Sequence, residues 1–431
     1  MNTMASLTSS APPAASRAGL LVRYGIWIAL ALVLLLLPYL FSSRLALSTM
    51  SLMGTMVIFA LSYNMLLGQT GLLSFGHAVF FGLGGFITVH VLNMAGGSEW
   101  PIPLPLFPVV GALGGLFFGV LFGAVATKRA GTAFAMITLG IGELVASSAL
   151  ILRRFFGGEE GITTDRTEVA RLFGYSFGPQ IQVYYLIAAW CFLAIALMYA
   201  ITRTPFGRIC NAVRDNPQRV AFIGYDPSTV RFIAFSLSGL FAGVAGGLSA
   251  INFEIVNAAQ MGAVESGSVV LMTYIGGVGN FAGPIIGAIL VTWLQLTLSD
   301  ATSVWPLYVG LLFIGVVMFA PGGIAGLITM QQPLLAARTL HRVVPYYLLA
   351  LVPGAVAIAG LSMLIETSHQ FSIKAAYGPQ MTLYSVPFDV TTPLPWAIGA
   401  TLLVAGFWVF LRAARLARSA YDAALPQRGK R

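Results

Sequence analysis

The sequence predicts an all-α integral membrane protein: a polytopic helical bundle of about ten core spans plus about two C-terminal spans, with broken or re-entrant glycine-rich segments. Three observations predict this fold. Of the 431 residues, 58% are hydrophobic and only 9% are charged, whereas soluble domains carry roughly 25% charged residues. Apolar runs of membrane-spanning length recur along the chain. Lysine and arginine fall mainly in alternate connections, which is typical of a multi-pass protein.

Each predicted span is an apolar segment, because a helix needs about 20 such residues to cross about 30 Å of hydrocarbon. Glycines interrupt two of these segments, 72–94 and 265–280, and glycine-rich motifs stand at 68–76 and 276–284. We therefore expect broken or re-entrant helices at these places. The predicted spans are 24–41, 46–66, 72–94, 105–126, 131–152, 184–202, 232–252, 265–280, 284–299, 304–320, 343–365 and 395–412.

This assignment divides the chain into three parts. Residues 1–23, rich in Ser, Ala and Pro, are predicted to be a disordered cytoplasmic N-terminus. Residues 24–325 are predicted to form the transmembrane domain, and residues 326–431 a C-terminal extension with two further spans and a basic cytoplasmic tail. With the N-terminus inside, basic residues gather in the inner connections and carboxylates in the outer ones. Both termini are therefore expected in the cytoplasm.

The connection 203–231, here called the basic loop, contains five arginines and is expected on the cytoplasmic side. Apolar residues alternate with the arginines in a pattern that suits short surface helices, with a break at Asn216–Pro217 and a stop at Gly224. The loop either docks a cytoplasmic partner or is a solvated connection that only fixes topology. The candidate docking residues are Arg208, Arg214, Asn216, Pro217, Arg219 and Gly224.

Polar residues inside predicted spans mark a candidate translocation path. Glu143 lies in the middle of 131–152. A buried carboxylate there costs about 2.5–3.5 kcal/mol, so we expect it to face the bundle interior with a partner. His77 lies near Ser74 and Asn64 in the sequence. These groups either line a polar path or fix helix packing through interhelical hydrogen bonds.

Glycines at four-residue spacing form two candidate packing ladders, because such residues share one helix face and let another helix approach closely. Packing inside one subunit is the favoured interpretation, and a subunit interface is the alternative. The ladders are Gly111, Gly115, Gly119 and Gly123, and Gly239, Gly243 and Gly247.

Motifs for chemistry are absent from the sequence. There is no GxxxxGK[ST] phosphate loop, no HExxH and no Cys/His set with metal-ligand spacing. We expect no catalytic residue, no metal and no cofactor on this chain, and therefore no enzymatic activity. The alternating charge indicates topology and not nucleic-acid binding. The connection 157–180, here called the acidic loop, suits contact with a soluble partner or a cation, but a solvated loop explains it equally well.

Four stretches carry a family resemblance: 61–86, 128–145, 204–248 and 266–290. In order they contain GLLSFGH, TLGIGE, GRICNAVR and GGVG. The chain resembles the permease subunits of ABC importers for branched-chain amino acids, the LivHM type. The resemblance covers about residues 24–325 and leaves the C-terminal extension outside the pattern.

The resemblance implies a bacterial inner-membrane protein in a larger assembly. Its partners would be a second permease, often a paralogue, cytoplasmic ATPases docked on the basic loop that bind the ATP, a periplasmic substrate-binding protein, and membrane lipid. Arg208, Arg214, Asn216 and Gly224 match the coupling segment of the family, and Ser74, His77 and Glu143 match its span motifs. Related permeases handle urea, short amides and aromatic acids, so these substrates are alternatives. A carrier that works without ATP and uses Glu143 as an ion relay is a further alternative.

Overall fold

The computed structural model describes residues 17–96, 102–169, 176–383 and 386–425, and within these ranges the fold is helical. Two short antiparallel strand pairs accompany the helices, β1 (Ile162–Thr163) with β2 (Ile255–Val256) and β3 (Gln380–Leu383) with β4 (Val386–Asp389). The helices are α1 (Arg17–Leu40), α2 (Arg44–Thr70), α3 (Ala78–Gly96), α4 (Phe107–Ala126), α5 (Thr132–Ile151), α6 (Arg153–Phe156), α7 (Gln180–Arg203), α8 (Pro205–Asp215), α9 (Pro217–Phe222), α10 (Pro227–Phe253), α11 (Ala263–Gly276), α12 (Gly283–Ala301), α13 (Trp305–Phe319), α14 (Gly323–Met330), α15 (Gln332–Ala336), α16 (Leu340–Tyr377) and α17 (Pro393–Ala424).

The predicted all-α membrane fold is confirmed. In the described ranges, 9 helices are long and apolar enough to cross a membrane, and a pair bent by 44°, Trp305–Phe319 with Gly323–Ala336, raises the number to 10. Two other predicted spans are shorter. The apolar part of α1 is Gly25–Leu40. Helix α11 has 14 residues and extends about 21 Å, which is too short for the hydrocarbon core.

Three predicted boundaries need correction. Helix α3 begins at Ala78 and not at 72. Gly71 adopts a left-handed conformation (φ 71°) that ends α2, and the residues from there to 77 are not helical. The predicted disordered N-terminus ends sooner than residue 23, because α1 begins at Arg17; residues 1–16 lie outside the described ranges. The basic loop was predicted at 203–231, but the connection between α7 and α10 is 204–226. Arg203 belongs to α7, and Arg231 belongs to α10, which Asp226 caps.

The chain forms two compact units, of which the first comprises Met1–Thr273 and Gly287–Trp293. Helix α10 lies at its centre and packs against α2, α3 and α4, while α7 packs on α2. Fully buried aromatic side chains fill this core, among them Phe59, Tyr63, Phe80, Phe81 and Phe235. Burial of such side chains between helices gives the first unit its own core.

The second unit comprises Tyr274–Ile286 and Leu294–Arg431. Its largest feature is the antiparallel pair α16 and α17, joined through β3 and β4. The two helices approach closely where Gly399 lies against Leu364 and Gly406 against Ala357. At the opposite end from the strands, the Tyr421 hydroxyl donates to the Met330 carbonyl at 2.9 Å. The predicted division into residues 24–325 and 326–431 stays a prediction.

Candidate functional site

The two glycine ladders meet each other between α4 and α10. A Cβ on Gly111 would lie 2.5 Å from the Gly243 carbonyl oxygen, and one on Gly239 would lie 2.7 Å from the Gly115 carbonyl oxygen. Helix α3 packs at the same place, since a Cβ on Gly84 would lie 2.5 Å from the Gly243 Cα. This contact of α3, α4 and α10 is here called the seam. The glycine ladders therefore let three helices of the same chain approach closely. The seam packs α3, α4 and α10 closely against one another.

The basic loop folds into the two short helices α8 and α9. Thr204 caps α8, and the Asn216 side chain caps α9 by accepting from the Arg219 N–H at 3.0 Å. A proline follows each cap at the first helical position, as the fixed φ of proline favours. Gly224 adopts φ 92°, which a side chain would disfavour. The break at Asn216–Pro217 and the stop at Gly224 therefore have the local geometry that the sequence predicts.

The loop ends in Asp226, whose carboxylate caps α10. It accepts from the Ser228 N–H at 3.1 Å and from the Thr229 N–H and hydroxyl at 3.0 and 2.6 Å. The Thr229 side chain first, and then the two backbone amides, lower the pKa of Asp226. The capped junction fixes where the loop returns into the bundle.

One face of α8 and α9 packs on the bundle and the other is exposed. Cys210, Val213 and Val220 form a buried cluster with Val230 and Ala234 at the start of α10. Burial raises the pKa of the Cys210 thiol to about 12, so the thiol stays protonated. Cys191 is also a buried free thiol.

The exposed face of the basic loop combines charge with large apolar side chains. Phe222 is 89% exposed and Ile223 66% exposed, at the end of α9. Arg219 is exposed three residues before Phe222 on α9, and Arg208 is exposed on α8. An apolar tip with basic neighbours, outside the membrane spans, is typical of a protein-binding surface.

Arg214 lies against α2 instead of pointing freely from the loop. Its guanidinium Nη1 donates to the Gly68 carbonyl oxygen, and its Nε lies 3.2 Å from an Asp215 carboxylate oxygen. Its Cγ lies 3.0 Å from the position that a Cβ on Gly71 would take. Arg214 therefore links α8 to the last turn of α2 and to its C-cap residue, Gly71. Sequence patterns could not predict this contact, because the two partners are 146 residues apart.

Residues 71–77, here called the first glycine break, connect α2 to α3 without helical structure. Its backbone is held by side chains from distant helices. The Phe75 N–H donates to the Thr138 hydroxyl at 3.3 Å, and the Ala78 N–H donates to the Ser266 hydroxyl at 3.1 Å. A second break, at 277–282, separates α11 from α12.

His77 is fully buried at the end of the first glycine break. Its Nε2 lies 3.0 Å from the Ser62 hydroxyl and 3.5 Å from the Ser238 hydroxyl, on α2 and α10. The Ser62 hydroxyl donates to the Phe59 carbonyl at 2.7 Å, so its oxygen accepts from His77. These contacts link three parts of the bundle. Ser62 and Ser238 were missed because neither belongs to a recognisable motif.

The structure does not bring the other candidate path residues into one hydrogen-bonded group. Ser74 Oγ and Asn64 Oδ1 are both buried, and neither has a hydrogen-bond partner in the described part of the chain. Unpaired buried polar atoms are uncommon.

The expectation that Glu143 faces the interior of its own bundle is wrong. Glu143 is exposed on α5, near the middle of a helix with span length and composition. No hydrogen bond or ion pair reaches it within the part of the chain that the structure describes. The buried face of α5 instead includes Gly142, where a Cβ would lie 3.2 Å from the Gly76 Cα.

Arg166 fastens the acidic loop to the end of α10 and was not a candidate from the sequence. Its side chain donates to the Phe177 carbonyl at 2.9 Å, to the Ile251 carbonyl at 3.1 Å and to the Asn252 carbonyl at 3.2 Å. Its Nε also lies 3.7 Å from a Glu254 carboxylate oxygen. An arginine next to Asp165 within an acidic connection was the available signal. Residues 170–175 of this loop lie outside the described ranges.

Arg166→Lys is expected to lower the free energy of unfolding by about 2 kcal/mol, because a lysine cannot satisfy the carbonyls that the guanidinium pairs. Thermal unfolding of the purified protein in detergent, together with the rate of proteolysis in the acidic loop, would measure the effect. The exposed Arg154→Lys is the matched control. Equal melting and proteolysis for the two variants would show that Arg166 does not fasten the loop.

No set of three or more His, Cys, Asp or Glu side chains in the described ranges could hold a metal ion. The structure instead combines a packed helical bundle with two features: the first glycine break, which contains buried polar groups, and the basic loop, whose Arg214 lies against Gly71 at the start of that break. It defines a polytopic helical membrane protein.

Comparison with known proteins identifies the family. Residues 45–321 match the family described as "Branched-chain amino acid transport system / permease component", and the chain belongs to this family. It is 27% identical over 304 residues to the high-affinity branched-chain amino acid transport permease LivM of Salmonella typhimurium, covering 66% of this chain and 70% of the relative.

Two further relatives differ in name. The chain is 25% identical over 285 residues to a probable branched-chain amino acid permease, LivH, of Methanocaldococcus jannaschii, covering 63% of this chain and 88% of the relative. It is 28% identical over 223 residues to the autoinducer 2 import permease LsrC of Yersinia pestis, covering 49% of this chain and 59% of the relative. No solved structure matches the chain.

Proposed function

We propose that the chain is the membrane-spanning subunit of an ATP-driven importer that moves branched-chain amino acids across the bacterial inner membrane. Separate cytoplasmic subunits bind and hydrolyse the ATP, so the chain itself carries no cofactor and is not an enzyme. The family supports the transport role, and the names of the LivM and LivH relatives support the substrate class. The name of LsrC makes other small solutes the alternative.

The exposed apolar tip of the basic loop is the observation that carries this proposal. Phe222 and Ile223 offer a hydrophobic anchor, and the buried cluster around Cys210 and Val213 holds α8 and α9 in place beneath it. A rigid apolar anchor with a basic rim suits a groove on a soluble partner. In an importer of this class that partner is the ATPase.

The charge pattern supports an orientation for the chain. A loop with this many arginines is retained in the cytoplasm, so α8 and α9 face the cytoplasmic ATPases. The acidic loop lies at the other end of α7 and therefore faces the periplasm. There it is placed to receive a substrate-binding protein. Both termini are then cytoplasmic, and the proposed assembly includes a second permease, a paralogue, because LivM and LivH both match this chain.

Phe222→Asp tests the proposal directly. It should weaken ATPase binding by about 2 kcal/mol, roughly thirtyfold in affinity, because a charge replaces the apolar anchor. The tagged chain would be purified from membranes, and the ATPase recovered with it quantified. Val386→Asp, at another exposed apolar position, is the control. Full ATPase recovery with Phe222→Asp would overturn the docking surface.

An ATP-independent carrier is the second candidate, favoured by the exposed position of Glu143 in a span. A carboxylate facing a water-filled path can bind and release a cation. This candidate predicts uptake by the chain without any ATPase, driven by an ion gradient.

A further inference from the structure

Helix α17, in the C-terminal extension, has one buried face and one exposed face. The buried face packs on α16 and recurs at helical spacing. Its residues are Pro395, Gly399, Gly406, Ala413, Ala417 and Ala424. The opposite face is exposed, and it continues from apolar residues to arginines without changing direction around the helix. Its residues are Ala400, Val404, Trp408, Arg412, Arg415 and Arg418.

An apolar groove runs along the first half of this exposed face. It has a volume of about 500 Å³ and is lined by Ala400, Thr401, Val404, Ala405 and Trp408. Three of these side chains are small, so a hydrocarbon chain can lie along the helix beside Val404 and Trp408. The Thr401 hydroxyl does not oppose this, because it already donates to a backbone carbonyl of its own helix at 2.7 Å.

The groove ends at a stacked pair of side chains. The guanidinium carbon of Arg412 lies 3.5 Å from the centroid of the Trp408 ring. This cation–π contact holds the guanidinium one helical turn beyond the groove. The ion pairs among the described residues do not include Arg412, so its charge is not neutralised there. A planar, positioned guanidinium is the group that binds phosphate most directly.

The length of α17 places the stacked pair at the edge of the hydrocarbon. The helix has 32 residues, which extend about 48 Å, whereas the hydrocarbon core is about 30 Å thick. Its first part, 393–411, has no charged residue and extends about 28 Å. The groove therefore lies at acyl-chain depth, and Arg412 lies at the depth of the headgroups, where tryptophan is also enriched.

Further positive charge gathers at this end of the second unit. The start of α16 lies beside the end of α17, because the Thr339 hydroxyl donates to the Ala424 carbonyl at 3.0 Å. One exposed carboxylate, Asp422, follows the arginines of α17, and no ion pair joins it to them in the described ranges. The exposed arginines at this end are Arg338, Arg342, Arg412, Arg415 and Arg418.

We propose that the exposed face of α17 binds an anionic phospholipid such as phosphatidylglycerol, with an acyl chain in the groove and the phosphate on Arg412 and Arg415. A phospholipid is the partner that fits, because one molecule joins a hydrocarbon chain to a phosphate at the spacing that the groove and the arginines have. Excess positive charge selects a headgroup with net negative charge over a zwitterionic one. The proposal does not depend on the proposed importer.

Quenching of Trp408 fluorescence tests the site directly. The complex purified through the full-length chain would be placed in phosphatidylcholine vesicles that contain a minor fraction of acyl-brominated phosphatidylglycerol or, in parallel, of acyl-brominated phosphatidylcholine. The chain contains 7 tryptophans, so the difference between wild type and Trp408→Phe isolates Trp408. We expect the brominated phosphatidylglycerol to quench Trp408 about fivefold more strongly, the enrichment that one basic residue provides at an anionic surface.

Variants of single arginines show whether the preference arises at this site. Arg412→Gln should remove most of the difference between the two lipids, and Arg412→Lys should keep part of it. Arg154→Gln removes an exposed arginine of α6 and should keep the full difference. Equal quenching of wild-type Trp408 by the two lipids, or quenching by neither, would overturn the proposal. An unchanged preference in Arg412→Gln would overturn the role of Arg412.

Native mass spectrometry of the same complex supplies a measurement that leaves Trp408 in place. With phosphatidylglycerol and phosphatidylcholine of identical acyl chains added together in detergent, wild type should retain mainly phosphatidylglycerol. Arg412→Gln should retain less of it than Arg154→Gln does. Equal retention by these two variants would contradict the proposal.

Discussion

Gly246→Ala is expected to lower the free energy of unfolding by about 3 kcal/mol or more and to remove most folded protein from the membrane. A Cβ at Gly246 would overlap the Phe81 carbonyl oxygen, and its neighbours include the Gly85 backbone N at 3.0 Å. These are backbone atoms of α3 inside its hydrogen-bonded ladder, so they cannot move aside as a side chain would. Relief requires α3 and α10 to separate along the seam.

Gly315→Ala on α13 is the matched control, because a Cβ there has open space. In an exposed helix the change from glycine to alanine should stabilise by about 1 kcal/mol. The two substitutions therefore have opposite expected signs. Thermal unfolding in detergent and the fraction of monodisperse protein measure both. Equal melting of Gly246→Ala and wild type would show that the helices do not pack as closely as described.

Arg214→Ala is expected to reduce uptake at least tenfold while the ATPase still binds and hydrolyses ATP. The guanidinium joins α8 to the Gly68 carbonyl at the end of α2, next to the first glycine break. If α8 moves with the docked ATPase, this contact transmits the motion to the break. Arg214→Ala leaves the proposed docking residues Phe222 and Ile223 in place.

The ratio of substrate transported to ATP hydrolysed, in proteoliposomes, measures this effect. Arg214→Lys keeps the charge and a donor and should restore part of the ratio. Arg219→Ala, on the exposed face of α9, should weaken ATPase binding and leave the ratio unchanged. Loss of the ATPase from Arg214→Ala would instead show that Arg214 contacts the ATPase itself.

The sequence predicted most of the spans because a bilayer imposes a length and a composition on each of them. It also predicted α8 and α9, since Asn216, Pro217 and Gly224 act through local backbone geometry. Helix α11 is shorter than its apolar segment because the second glycine break ends it at Gly276.

Contacts between distant residues could not be predicted in this way. Arg214 with Gly68, Arg166 with Ile251, and His77 with Ser62 depend on how the helices are arranged in space. Glu143 was misplaced for a different reason. The prediction assumed that one chain buries its own polar groups, whereas this carboxylate lies on an outer face.

The most direct test of the account is uptake of radiolabelled leucine by proteoliposomes that contain the complex purified through this chain. ATP would be enclosed inside, and a leucine-loaded binding protein supplied outside. The account predicts uptake that requires enclosed ATP and the ATPase and that continues when ion gradients are dissipated. Uptake by the chain alone, without ATP and abolished by a protonophore, would contradict it.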